Sequence, residues 1–135
     1  MKRSVLLDTN IIVRFLVRDH EMHYQVAKAL FKEVSTGKAR VEILDIIIAE
    51  VIYVLHSFYK HTKKEIVETL KDLFSQEHIT IYNKAIIFEA MDIFERKNID
   101  FADAILCAKQ HLEGYEVMSF DKDIKKCGQM KCKRS

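Results

Sequence analysis

The 135-residue chain has no proline, no tryptophan and only three glycines, at positions 37, 114 and 128. Average usage would place about nine glycines and seven prolines in this length. The three positions cannot spell G-x-G-x-x-G or G-x-x-x-x-G-K-[ST], so a glycine loop cradling a phosphate is excluded. Collagen-like, proline-rich and Gly/Ser-linker sequences are excluded with it. Long apolar runs are also missing. No stretch approaches the roughly 18 residues of a membrane span, and the apolar segment behind Met1-Lys2-Arg3 is cut at Asp8, unlike a signal peptide. With 49% hydrophobic and 31% charged residues, the chain is too apolar for disorder and too charged for a membrane protein. The expectation is one cytoplasmic, soluble domain over residues 1–135, fraying at 128–135.

Cys107, Cys127 and Cys132 are odd in number and form no C-x-x-C, which reads as reduced thiols. Cys107 and His111 stand at i and i+4, but no further zinc ligands accompany them. The net charge of +2 is unevenly spread: residues 121–135 hold six basic side chains against two acids. A basic tail on a mildly acidic body suits nucleic acid, and equally a solvated terminus.

Along the chain, Val5-Leu6-Leu7 reads as a short strand buried on both faces. Helices follow at 11–17 and 20–35, the second stopping at Gly37. A strand at 41–44 leads to Asp45, the expected N-cap of an apolar helix reaching 59. Thr62-Lys63-Lys64-Glu65 is a capping box opening a helix to 74. A strand at 79–82, a helix at 84–96, a helix capped by Asp100 and ended by Gly114, a strand at 117–119 and a short helix at 122–127 complete the order. Strands alternating with helices predict an α/β fold, a three-layer α/β/α sandwich around a parallel sheet of four to five strands.

The informative residues are acids where the pattern wants hydrocarbon. Glu50 is the lone charge in Ile46-Ile47-Ile48-Ala49-Glu50-Val51-Ile52-Tyr53-Val54-Leu55, and Asp103 sits in Phe101-Ala102-Asp103-Ala104-Ile105-Leu106. A helix apolar on every side is a buried one, so both acids are expected below the surface. Asp8 and Asp121 close the first and last strands at their carboxyl ends. Each alone has an ordinary explanation as a cap, a turn former, a dipole partner or half of an ion pair. Together they differ, because the carboxyl ends of parallel strands share one crevice where ligands bind. Two like charges ~4 Å apart repel by about 4 kcal/mol at an effective dielectric near 20. Mg²⁺ or Mn²⁺ with oxygen ligands relieves that repulsion and suits phosphate chemistry.

The segments Leu6-Leu7-Asp8-Thr9-Asn10, Ile48-Ala49-Glu50-Val51, Asp100-Phe101-Ala102-Asp103-Ala104 and Ser119-Phe120-Asp121 occur in the order of a known family. Over about residues 4–125 the chain resembles the PIN-domain nucleases, most closely toxins of the VapC type. The resemblance implies a parallel sheet between helices and metal-dependent hydrolysis of RNA phosphodiesters. It implies Asp8, Glu50, Asp103 and Asp121 as catalytic metal ligands, with Asn10 and Ser119 in supporting polar positions. It also implies an antitoxin partner and a homodimer. Asp123 is an extra acid that reads as an outer or second-layer ligand, and Asp100 as an N-cap.

Arg14 and Arg18, one turn apart behind Asp8, and Lys122, Lys125 and Lys126 behind Asp121 are candidates for RNA phosphate contact. Ordinary surface solvation accounts for them equally well. Phe15, Phe58 and Tyr59 lie near helix ends where an antitoxin helix could dock, or where core packing explains them. Two other readings share the fold: a housekeeping RNA-processing nuclease without an antitoxin, and an inactive RNA- or protein-binding module. An aspartyl-phosphate phosphatase is disfavoured, since the first motif is Asp8-Thr9-Asn10 and lacks Asp-x-Asp.

Overall fold

The computed structural model describes residues 2–127. The chain forms two compact units, Met1–Tyr82 and Asn83–Ser135. Lys131, Cys132, Lys133 and Arg134 of the basic tail, and the fraying expected at 128–135, lie outside the described residues.

In the first unit the order is β1 (Arg3–Leu6), α1 (Thr9–Val17), α2 (Glu21–Ser35), β2 (Ala39–Ile43), α3 (Asp45–Tyr53), a π-helical segment (Val54–Phe58), α4 (Lys63–Phe74) and β3 (Ile79–Ile81). The strands form a parallel sheet in the order β1-β2-β3, with Val5 beside Val41 and Val41 beside Ile79. The α/β class with a parallel sheet is therefore present, built among the described residues from three strands where four to five were expected. Residues 117–119 carry no strand.

Ala39, Val41, Ile43, Ile79 and Ile81 are buried on one sheet face, together with Ile12, Ile48, Ile52, Leu70 and Phe74 from the helices. Each of these side chains larger than Ala39 contributes about 1.5–3 kcal/mol by leaving water. The strand β1 is not buried on both faces. Leu6 pairs in register with Glu42, so it shares the polar side with Arg40 and Thr80 and is 66% exposed. Strand periodicity overrides the continuous apolar run.

Helix ends follow local chemistry. α2 closes in a Schellman turn: Lys38 N donates to Glu33 O at 2.9 Å and Gly37 N to Val34 O at 3.1 Å. Gly37 adopts φ +82°, which a side chain would resist. At α4 both bonds of the capping box form, Glu65 N to Thr62 Oγ1 at 3.1 Å and Thr62 N to Glu65 Oε1 at 2.9 Å. The expected cap of α3 shifts by one residue. Leu44 is the N-cap, without a side-chain bond, and Asp45 is a first-turn acid. The single helix expected over 45–59 changes to π geometry after Tyr53, where Tyr59 N reaches back to Val54 O at 3.1 Å.

The second unit holds α5 (Lys84–Arg96), α6 (Phe101–Glu113) and a 3₁₀ segment, Lys122–Cys127. α5 and α6 form a packed pair, with Phe94 set edge-on to Phe101 at 6.0 Å between centroids. Met91, Ala104 and Ala108 are fully buried. Cys107 and Cys127 are joined as a disulfide with Cα atoms 5.4 Å apart, so the expectation of reduced thiols is corrected for this pair. Spacing alone could not show it, because 20 residues separate the two. Among the described residues no helix is long and apolar enough to cross a membrane.

Candidate active site

In the first unit the site begins where β1 runs into α1. Asp8 is the N-cap of α1, with extended backbone (φ −89°, ψ 162°), and its Oδ1 accepts from Thr9 N at 2.8 Å. An anion at this position is favoured by the helix dipole. Thr9 is the one buried polar residue among the described residues, 6% exposed, and its hydroxyl donates to Glu50 Oε1 at 2.7 Å. Two acids 42 positions apart in sequence are thus tied to one threonine, Asp8 through its backbone and Glu50 through its side chain. Asn10, in the first turn of α1, is exposed.

The second unit gathers three acids. Asp100 caps α6 by accepting from Asp103 N at 2.9 Å, as its place before the helix predicts. Asp121 N donates to Ser119 Oγ at 2.9 Å, and Asp123 N donates to Asp121 Oδ1 at 2.9 Å. These turns present Asp103, Asp121 and Asp123 with oxygen atoms all within 4.8 Å of one another. Lys126 partly offsets the charge, 3.0 Å from Asp123 Oδ1 and donating to Asn98 O at 3.0 Å. The carboxyl of Asp103 is held above its ordinary range, first by partial burial and then by the charges of Asp100, Asp121 and Asp123. Three crowded hard-oxygen donors fit a divalent cation such as Mg²⁺ or Mn²⁺.

The acids are less buried than the sequence suggested. Asp8, Glu50 and Asp121 are exposed, while Asp103 and Asp123 are half-buried. The apolar run around Glu50 misleads because α3 is not enclosed: Ile46 is 70% and Tyr53 68% exposed.

The family model for the PIN domain matches residues 5–129. The chain belongs to the PIN domain family. It is also similar to a curated protein of Aquifex aeolicus (strain VF5) named VapC ribonuclease, with 27% identity over 124 residues covering 91% of each chain. No solved structure matches the chain.

Within this PIN domain the basic candidates differ in freedom. Arg14 pairs with Asp19 at 2.9 Å, and Asp19 also accepts from the Tyr59 hydroxyl. That hydroxyl and the guanidinium hold the Asp19 carboxyl below its ordinary range, and Asp19 in turn raises Tyr59. Arg18 lies 3.7 Å from Glu21 and 4.2 Å above the Tyr24 ring. Lys122 and Lys125 are exposed, whereas Lys126 is engaged as described above. Phe15 packs on Phe31 at 4.4 Å, consistent with core packing, while Phe58 is 74% exposed. Cys107 is committed to Cys127 and His111 Nδ1 lies 2.7 Å from Glu89 Oε2, so the conceivable zinc pair of the PIN domain is otherwise employed.

Two features of the PIN domain escaped the sequence reading. Thr9 was legible in principle, since Thr9, Ile12 and Val13 fall on one helical face and all three are buried. The disulfide carried no such signal, because it joins Cys107 and Cys127 across a separation of 20 residues.

Proposed function

We propose that the chain is a divalent-cation-dependent endoribonuclease, the toxin component of a VapBC-type toxin–antitoxin pair. The observation that carries this reading is the crowding of Asp103, Asp121 and Asp123, whose oxygens lie within 4.8 Å of one another and hold Asp103 above its ordinary range. The PIN family and the relative named VapC ribonuclease support it. The family match at 5–129 spans both compact units, which supports a single catalytic domain over 1–135.

In this reading Asp8, Glu50, Asp103 and Asp121 hold Mg²⁺ or Mn²⁺. Asp123 stands beside Asp121 as a further oxygen donor. A bound divalent cation supplies Lewis acidity toward water and toward a phosphodiester oxygen. The protein's own groups set the geometry. Asp8 is fixed at a helix start, Ser119 accepts from the Asp121 amide to shape its turn, and Asp100 sets the first turn of the helix bearing Asp103. Lys122 and Lys125 offer positive charge beside Asp121 for RNA phosphates, with Arg14, Arg18 and Lys126 as secondary candidates. Asn10 is a polar contact at the start of α1. The protein is proposed to act in the cytoplasm as a homodimer held in check by a small antitoxin.

The test is a panel of RNA, DNA and phosphomonoester substrates with Mg²⁺, Mn²⁺ and a chelator, run on wild type and Asp8→Asn. RNA cleavage that needs the cation and disappears in Asp8→Asn is expected. Wild-type rates from Asp8→Asn would remove the assignment. Growth arrest on expression, relieved by co-expressing a small neighbouring open reading frame, would distinguish the toxin from a housekeeping nuclease.

A further inference from the structure

We propose that Thr9 is a positioning residue that fixes the orientation of the Glu50 carboxylate for its part as a cation ligand. The inference rests on the cation-dependent reading above and adds a residue to it. Thr9 is 6% exposed, whereas Glu50, its hydrogen-bond acceptor at 2.7 Å, is exposed. That asymmetry matters. An exposed carboxylate is well solvated without a protein donor, so the bond satisfies the buried Thr9 hydroxyl more than it serves the solvation of Glu50. What the bond does is restrict a side chain with three rotatable bonds to one orientation.

The geometry makes Thr9 suited to this task. It is the first residue of α1, and its amide is already spent on Asp8 Oδ1 at 2.8 Å. Its β-branched side chain is stiff at χ1, and burial fixes the methyl, so the hydroxyl has one direction to point. A hydroxyl carries one proton, and Thr9 gives it to Glu50 Oε1. One residue therefore registers Asp8 and Glu50 against the start of α1.

The experiment compares Thr9→Val, which keeps shape and burial but deletes the donor, with Thr9→Ser, which keeps the donor but deletes the buried methyl. Mn²⁺ affinity is read from the electron paramagnetic resonance of free Mn²⁺, and folding from Tm in chelator. Thr9→Val is expected to bind Mn²⁺ about tenfold more weakly, the usual effect of losing an outer-shell partner. Thr9→Ser should stay within about threefold of wild type on the same scale, although its Tm falls further. A purely structural role predicts the reverse ranking, with Thr9→Ser the worse binder.

Glu50→Asp breaks the same bond from an exposed position, independent of how the core tolerates valine. It should weaken Mn²⁺ binding, and adding Thr9→Val to it should cost nothing more. Equal Mn²⁺ affinity in wild type and Thr9→Val, or independent losses in the double variant, overturns the inference alone. A wild-type chain that binds no Mn²⁺ overturns the nuclease reading and this inference with it.

Discussion

The acids of the two units are organised in opposite ways. Asp8 and Glu50 each receive a hydrogen bond from Thr9 and, among the described residues, pair with no cation. Asp103, Asp121 and Asp123 instead face one another within 4.8 Å, with Lys126 as the cation at hand. The segment carrying Asp123 is tied covalently to the helix carrying Asp103 through Cys107 and Cys127. The first pair is held in place by hydrogen-bond donors, the second by a bond that resists its repulsion. The second unit is therefore where a divalent cation has the most repulsion to relieve.

The sharpest way to break this contrast is to remove one charge from each side. Asp8→Asn and Asp103→Asn should each lower RNA cleavage by more than the roughly 10–100-fold typical of outer-shell losses. In chelator they should part company: Asp103→Asn relieves repulsion and raises Tm, whereas Asp8→Asn does not. Parallel activity assays and thermal melts check both.

The next effect is covalent. Reducing Cys107–Cys127, or replacing both residues with serine, opens a loop whose ends are 20 residues apart. The chain-entropy model puts the loss at about 3 kcal/mol. Urea denaturation with and without a thiol reductant measures it, and Asp8-side protection in hydrogen exchange should be unaffected.

Cation binding follows. At a free Mg²⁺ or Mn²⁺ concentration 100 times its Kd, the folded state gains about 2.7 kcal/mol. Melts with and without cation should show this gain in wild type and lose most of it in Asp103→Asn.

The smallest effect is a slope with pH. Because the Asp103 carboxyl is raised above its ordinary 3.8, its contribution to stability is full below that value and fades as pH climbs through the folded value. In cation-free buffer, the Tm difference between Asp103→Asn and wild type should therefore widen from acid toward neutral pH. A difference constant across that range would mean that the repulsion is absent.

Much of this is legible in the amino-acid sequence. Asp100, Thr62 with Glu65, Gly37 and Gly114 announce helix ends, because capping chemistry is local and a few residues suffice to specify it. Four acids in order pointed to the family for a related reason: Asp8, Asp103 and Asp121 stand at helix starts, with Glu50 further along α3. Burial was harder to read. Glu50 lies in an apolar run, yet α3 exposes Ile46 and Tyr53, and a run apolar all round does not say which side faces water. Leu6 was misread as buried because the register that sets it beside Glu42 belongs to the partner strand. The disulfide depends on two segments meeting in space, which no spacing encodes.

The π-helical segment Val54–Phe58 holds one residue more per turn than an α-helix would. Each residue turns an α-helix by about 100°, so the widening re-aims everything that follows, Tyr59 first. Tyr59 thereby meets Asp19, which in turn grips Arg14. An insertion absorbed in one helix thus decides which side chain shares Asp19 with an arginine on another. Trimming a single residue from 54–58 would be a way to take Tyr59 from Asp19 while leaving the Arg14–Asp19 ion pair in place.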